Sequence, residues 1–504
     1  MEISRRSFLL GSAALLAVGA CSGDDEPTCD DTEDCAGSGP PAPPIEVPTP
    51  AAPATPLPGP PFGLGVASGD PDDESVVLWT RLLGAEGDHE VAWEVLDATD
   101  HVVAAGLVTA TAADGHSVHV VADGLSQDAW YSYRFHTAGH TSPVGRARVL
   151  PTRDGEALRF AFASCQDWRD GHWSAHEHLA AEELDLVVWL GDYIYEGGDG
   201  DRQVRDHGAP ACQSLDDYRA RYALYKAHPH LQAAHAARPW LVVWDDHEVV
   251  NDFAGGADEI ADRQAAAYKA WWEHMPVRMP APTGPALDIN RVVRFGEIAS
   301  FVMIDGRQFR SDQACGGGIA PACDEVADPS RTMLGTDQEA WVARALSTSE
   351  TAWNVIANQT ILAPSEIVGL VNLDQWDGYP AARQRLYDAI RSSDAGTVVI
   401  TGDVHASAVG NLVADDGTHL GVELVGTSIS STFPADLADV FELAATAAGA
   451  EMADAHHRGY VVCEVTKDAF RADYRIVESV AAASSPISTS SSWVIEDGAG
   501  VQPL

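Results

Sequence analysis

The sequence predicts an α+β, layered chain in two folded parts: a small immunoglobulin- or fibronectin-like β-sandwich over residues 62–152, then a layered α/β body over residues 153–504. Three observations predict this. Short β-prone runs separated by Gly- and Asp-rich turns fill the first part. Strand-like apolar runs alternate with helical stretches in the second. Four donor-rich clusters each stand just past an apolar run, at the edge where layered α/β folds assemble their sites.

The chain opens on an address. Ser4-Arg5-Arg6-Ser7-Phe8-Leu9-Leu10 resembles a twin-arginine export signal, and the apolar stretch that follows to Ala20 is too short to span a bilayer stably. Val18-Gly19-Ala20-Cys21 resembles a lipoprotein cleavage box in which Cys21 is lipid-modified, with a plain signal peptide cut nearby as the alternative. Residues 1–21 are therefore read as signal, and the Asp/Glu-rich then Pro-rich residues 22–61 as a semi-rigid tether. No later segment is long and apolar enough to cross a membrane.

Within 62–152, strands are expected at 76–79, 90–96, 116–121 and 130–136, and Leu125 followed by Tyr131 resembles the paired leucine and corner tyrosine of such sandwiches. From about residue 157 the rhythm changes. Strands are expected at 158–163, 187–190, 241–244, 300–304, 353–357 and 397–401, with closing strands at 459–466 and 471–476. Helices are expected at 173–183, 215–224, 257–274, 336–346 and 381–392.

Composition excludes some partners. The 504 residues carry a formal charge of -44, and lysine occurs only at positions 226, 269 and 467. So acidic a surface repels nucleic acid and anionic headgroups, leaving a lipid anchor as the expected membrane contact. Among the eight cysteines, Cys315 and Cys323 flank a glycine-rich loop and are expected to pair. Cys29 and Cys35 could close a small loop, Cys212 and Cys463 have no evident partner, and Cys165 follows a strand as a candidate ligand.

The donor clusters are Ser164-Cys165, Gly191-Asp192-Tyr193-Ile194-Tyr195, Asp245-Asp246-His247-Glu248 and Gly402-Asp403-Val404-His405. In the second, a carboxylate able to bridge two cations stands three residues before a phenol that suits ferric iron. The alternative is an Asp capping a turn beside packed tyrosines. The third crowds acids around a histidine, an arrangement best tolerated beside a cation. In the fourth, donors at i and i+2 share a face of extended chain. Asn358-Gln359 adds neutral oxygens that serve equally well as buried amides, and Cys165 taken alone reads as an inert buried thiol. Together these donors can furnish two cation sites sharing Asp192, suited to polarising a phosphoryl group. Competing templates fail: there is no Gly-Lys pair for a phosphate loop, no Gly-x-Ser-x-Gly and no His-Glu-x-x-His.

The combination resembles the PhoD-type alkaline phosphatases, a branch of the calcineurin-like metallophosphoesterase superfamily. Phe62-Gly63-Leu64-Gly65-Val66-Ala67-Ser68-Gly69-Asp70-Pro71, Leu78-Trp79-Thr80-Arg81, Asp305-Gly306-Arg307-Gln308-Phe309-Arg310 and Ala357-Asn358-Gln359-Thr360 belong to the likeness, beside the four clusters. The resemblance implies a metallophosphoesterase αββα sandwich for the body and an exported enzyme, periplasmic or at the cell surface, hydrolysing phosphomonoesters or phosphodiesters with Fe3+ and Ca2+. Cys165, Asp192, Tyr195 and His405 would hold iron. Asp192 would bridge to calcium, with Asp246, Asn358 and Asp403 completing that side. His247 would serve as general acid or transition-state stabiliser, and Arg307 or Arg310 would contact phosphate unless engaged in structural ion pairs. Its expected partners are small phosphoester substrates and the twin-arginine export machinery. Lacking a long C-terminal helix in the pattern, the site is expected to be open. A phospholipase D-like or nucleotide phosphodiesterase on the same scaffold is the alternative; the full donor set argues against a non-catalytic surface lipoprotein.

Overall fold

Alternating burial marks the first strands: along Ala129–Thr137 buried positions alternate with half-exposed ones from Tyr131 on, as in a strand with one face on a core. The computed structural model describes residues 44–504 apart from 54, 153–154, 201–203, 257, 367–368 and 497. The signal, with Cys21, the first part of the tether and the Cys29 and Cys35 pair lie outside the described residues.

Eight strands precede the body: β1 (Val66–Gly69), β2 (Val76–Arg81), β3 (His89–Leu96), β4 (Val102–Ala110), β5 (Ser117–Ala122), β6 (Ala129–Thr137), β7 (His140–Thr141) and β8 (Gly145–Val149). β4, β3, β6 and β7 form one antiparallel sheet, with β8 also on β6. β1, β2 and β5 pair separately, and one apolar cluster joins Val66, Leu78 and Val118 to Val91, Tyr133 and Val149. Tyr131 occupies the corner its sequence context predicts: its hydroxyl accepts from Ser126 N at 2.8 Å and reaches the Ser126 carbonyl at 3.3 Å. Residues 45–61, read as tether, lie along this region, where Ala51 N donates to Glu90 at 2.7 Å and Leu83 N to the Pro61 carbonyl at 2.8 Å.

In the body the elements follow as β9 (Leu158–Ala163), α1 (Ser174–Ala181), β10 (Leu186–Trp189), α2 (Leu215–Lys226), α3 (Pro229–Ala237), β11 (Pro239–Val242), α4 (Ala261–His274), β12 (Arg291–Phe295), β13 (Ala299–Met303), β14 (Ile319–Ala320), α5 (Thr336–Ser347), β15 (Trp353–Asn358) and β16 (Val371–Asn372). The chain closes through α6 (Pro380–Arg391), β17 (Gly396–Thr401), β18 (Ser407–Val413), β19 (His419–Val425), α7 (Ala438–Ala447), β20 (Ala450–Asp454), β21 (Arg458–Val465), β22 (Ala469–Val477), β23 (Ile487–Glu496) and β24 (Gln502–Pro503).

Two large sheets result. One runs β24-β23-β22-β21-β9-β10-β11-β1-β2-β5, the other β12-β13-β15-β17-β19-β18-β20. The segments β9, β10 and β11 are parallel, as are β13, β15, β17 and β19. The central strands β13, β15 and β17 of the second sheet are buried on both faces, which explains their largely apolar runs. Phe301, Val355 and Val398 join the core shared with Phe160, Val188 and Val242 of the first sheet. Their neighbours Val302, Ile356 and Val399 instead pack with Leu346 of α5 and Leu386 of α6. Cys315 and Cys323 form the expected disulfide; Cys212 and Cys463 are free and buried.

One pairing was not legible in the sequence. β1 lies parallel to β11, matching Ser68 with Pro239 and Gly69 with Trp240, so the N-terminal strands extend the sheet of the body. A Cβ at Gly69 would stand 2.3 Å from the Pro276 carbonyl oxygen and 2.6 Å from that of Trp240, which is why glycine occupies the junction. Asp70 follows and is bound by Arg291 Nε at 2.9 Å and by Arg278 N at 2.9 Å.

A histidine seals the same junction. His119 of β5 stacks on Trp272 of α4 with centroids 4.2 Å apart, and its Nε2–H is shared between the carbonyls of Met275 (2.9 Å) and Trp272 (3.1 Å). Burial lowers its pKa from 6.5 to about 4. The unfolded chain therefore takes up this proton first on acidification. The contribution is full above pH 6.5 and is lost as pH falls to about 4, a difference of at most about 3 kcal/mol. Urea unfolding followed between pH 7 and 4 should show stability falling through that window, with a shallower fall in His119→Gln.

Candidate metal centre

The C-terminal ends of β9, β10 and β11 in one sheet, and of β13, β15 and β17 in the other, are where the polar motifs begin. Cys165 follows β9, Asp192 follows β10, Asp245, Asp246 and His247 follow β11, and Asp403 and His405 follow β17. Leaving the sheets requires sharp backbone turns. Cys165 (φ 58°), Asp192 (54°), Asp403 (66°) and His405 (58°) all adopt the left-handed region. Non-glycine residues rarely do so, at a cost of roughly 1–3 kcal/mol each, and such residues gather at functional sites.

These turns bring the donors together in three linked groups. The ligand atoms of Cys165, Asp192 and His405 lie within 4.8 Å of one another; so do those of Asp192, Asp246 and His247, and those of Asp245, Asp246 and Asp403. Asp192 belongs to the first two groups, the geometry of a bridging carboxylate. The Tyr195 hydroxyl completes the first, donating to Asp192 Oδ2 at 2.9 Å and lying 3.0 Å from His405 Nε2. The Thr432 carbonyl lies 3.2 Å from His405 Nδ1. A proton shared there leaves Nε2 as the free lone pair, the arrangement of metal-ligating imidazoles. Asp245 Oδ2 is buried without a hydrogen-bond partner among the described residues.

The electrostatics are those of crowded, desolvated acids. Burial, with neighbouring acids adding to it, pushes Asp192 and Asp245 well above the ordinary carboxylate range. Burial likewise raises Asp403 to about 6, and raises the Cys165 thiol and the Tyr195 phenol well above their usual values. Burial lowers His405 to about 4, keeping it a neutral ligand type. His247 goes the other way: burial would lower it, but Asp192, Asp246 and Glu196 more than offset this and hold it well above 6.5. Its Nδ1 is 2.7 Å from Glu196 Oε2, and its ring packs against Tyr195 at a centroid distance of 4.1 Å.

Three further residues of the expected set hydrogen-bond within the fold. Arg307 is fully buried, with Nε on Asp245, NH1 on Asp374 at 2.7 Å and NH2 on Asp403 at 2.9 Å. Arg310 is held by Asp374 at 2.5 Å and by the Asp374 and Asp252 carbonyls. Both arginines thus lie as buried counter-charges among the acids. Asn358 gives its amide to the fold: Oδ1 accepts from Trp376 Nε1 at 3.2 Å and Nδ2 donates to the Thr360 carbonyl at 2.5 Å.

Other contributors escaped the sequence reading. Glu196 orients His247 and stands directly after Tyr195, a proximity that could have flagged it. Asp374 anchors both arginines from a loop with no motif. Ser431 Oγ contacts the Tyr195 hydroxyl at 2.8 Å and the Cys165 carbonyl at 2.9 Å, from a serine-rich run without ligand-type residues.

Comparison with known proteins shows what the chain as a whole is similar to. The family described as PhoD-like phosphatase matches residues 160–474, and its N-terminal domain matches residues 49–151. Alkaline phosphatase D of Bacillus subtilis (strain 168) is 41% identical over 473 residues, spanning 86% of this chain and 81% of that protein. A solved structure described as the structure of PhoD superposes with a TM-score of 0.85 at 41% identity, covering 90% of this chain and 93% of the other.

Because Arg307 is the cation bonded to both Asp245 and Asp403 among the described residues, Arg307→Met should cost about 3–5 kcal/mol, the usual penalty for stripping one side of a buried ion pair. Chemical denaturation of the variant against the parent measures it.

Proposed function

The chain belongs to the PhoD-like phosphatase family, and from that premise we propose that it is an exported, metal-dependent phosphoric ester hydrolase acting on small phosphomonoesters or phosphodiesters. The observation that carries the reading is the linkage of three donor groups through Asp192 and Asp246, with His247 at their edge. Cys165, Asp192, Tyr195 and His405 hold ferric iron, a cation matched to thiolate and phenolate donors. Asp192, Asp246 and Asp403 hold calcium, an oxygen-seeking cation. The donor set fits such ions: the groups that burial disfavours as anions are the ones a cation would stabilise. When bound, cations of this kind polarise a phosphoryl group and make water nucleophilic near neutral pH.

The remaining work belongs to side chains. His247, with Nδ1 fixed on Glu196, presents Nε2 to the leaving-group oxygen and gives it a proton as the ester bond breaks. Arg307 opposes the effect of burial on Asp245, Asp374 and Asp403 and holds their carboxylates in place. We read the N-terminal sheets as an immunoglobulin-like sandwich over 62–152 and residues 153–504 as a catalytic αββα body. Residues 1–21 serve as a twin-arginine signal with lipidation at Cys21, and the residues from 22 up to the folded region at 45 as a spacer.

The reading is tested by elemental analysis of the purified protein together with a panel of mono- and diesters. Iron and calcium should co-purify, and Asp192→Asn should lose both metals and activity. Cys165→Ser should shift or abolish visible absorption from charge donation to iron. His247→Gln should keep metal and KM while kcat falls about 10²–10⁴-fold. Full activity and metal content in Asp192→Asn would remove the bridging carboxylate from the mechanism.

Export is tested separately. With Arg5 and Arg6 both replaced by Lys, precursor should accumulate in the cytoplasm; Cys21→Ser should release processed protein from the membrane fraction. A Cys21→Ser protein that still fractionates with membranes would disprove lipidation.

A further inference from the structure

We infer that Glu248 is a positioning residue that locks the two central donor loops together, and that cation retention by the centre depends on it. The inference rests on the metal reading above and extends it to a residue that touches no ligand side chain. Glu248 is fully buried. Its Oε2 accepts from Asp192 N at 3.0 Å and from Asp245 N at 2.8 Å, and its Oε1 accepts from Tyr193 N at 2.6 Å. All three donors are backbone N–H groups, and they come from the loops after β10 and β11, adjacent parallel strands.

The placement of these bonds matters more than their number. The N–H groups of residues 192 and 193 belong to the peptide planes on either side of the Asp192 Cα. Holding both planes sets both backbone dihedrals of Asp192, and so the direction in which its carboxylate leaves the chain. That backbone is in the left-handed region, at φ 54°, where an unassisted aspartate would relax. The third bond fixes the start of the Asp245-Asp246-His247 turn relative to the first. Close packing completes the lock: a Cβ on Gly191 would lie 2.4 Å from Asp245 Cβ and 2.5 Å from Asp245 N. One carboxylate thereby registers the residue shared by two donor groups against the acids of the third.

Only a carboxylate offers acceptors on both arms. In Glu248→Gln the amide NH2 must face either Tyr193 N–H or the Asp192 and Asp245 N–H pair, donor against donor. Glu423 is a matched control. It too is buried, and it accepts from Leu362 N at 2.8 Å, Ala363 N at 2.8 Å and Thr401 Oγ1 at 2.7 Å, none of them a donor residue of the centre.

The test exposes holoenzyme, as purified, to graded EGTA and follows retained metal by elemental analysis, with melting temperature in parallel. Glu248→Gln should release its cations at chelator concentrations about 10–100-fold lower than the parent, the usual cost of losing a group that orients ligands. Glu423→Gln should lower the melting temperature while retaining metal like the parent. Glu248→Asp, which keeps two acceptor oxygens, should recover part of the retention; it carries the comparison, against Glu423→Asp, where Glu248→Gln does not fold. Parent-like retention in the Glu248 variants overturns the inference and leaves the functional reading standing. A parent that carries no cation overturns both.

Discussion

Buried negative charge at the ends of parallel strands is the constraint on which the rest of this structure depends. Asp192, Asp245, Asp246, Glu248 and Asp374 are buried within one region, with Asp403 half-buried beside them, where mutual repulsion and desolvation both oppose ionisation. The fold answers with fixed partners: Arg307 and Arg310 against the acids beside Asp374, imidazolium at His247, and backbone N–H groups on Glu248. Nothing in the answer is adjustable. The N–H groups come from the turns after β10 and β11 of the first sheet and the arginines from the turn after β13 of the second, so Arg307 reaches Asp245 only if both sheets bring their ends to one place.

The sheets achieve this by sharing a core. Alternate residues of β13, β15 and β17 face the first sheet, and the intervening ones face α5 and α6. A one-residue slip in any of them would exchange the two faces and turn its terminal donor away from the centre. The catalytic geometry is therefore held by apolar packing well behind it.

Much of this could be read locally. Each donor cluster does follow a strand, and the body strands expected from apolar runs appear within two residues of their expected bounds. Tyr131 closes its corner and the Cys315–Cys323 pair forms. What escaped was non-local. β18 and β19 carry glycine and polar residues within their runs, so their identity as strands comes from neighbours rather than from their own pattern. The roles of Arg307, Asn358 and Glu248 are set by partners distant in sequence, such as Asp403, Trp376 and Asp192. A motif shows that a polar residue stands near a strand end; it does not show which way its hydrogen bonds run.

The parallel pairing of β1 with β11 has a consequence for how the chain reaches its native state. Ser68 must wait for Pro239, and β9, laid down early, gains its outer neighbour only when Val461–Val465 has been made. No N-terminal portion emerging from a ribosome holds a complete large sheet, so its strand edges stay open until synthesis is nearly finished. Such non-local topology folds slowly and exposes sticky edges meanwhile. The strong acidity of the chain, -44 overall, then acts in time as well as in space: like-charged nascent chains repel one another during the interval in which they are most able to mispair.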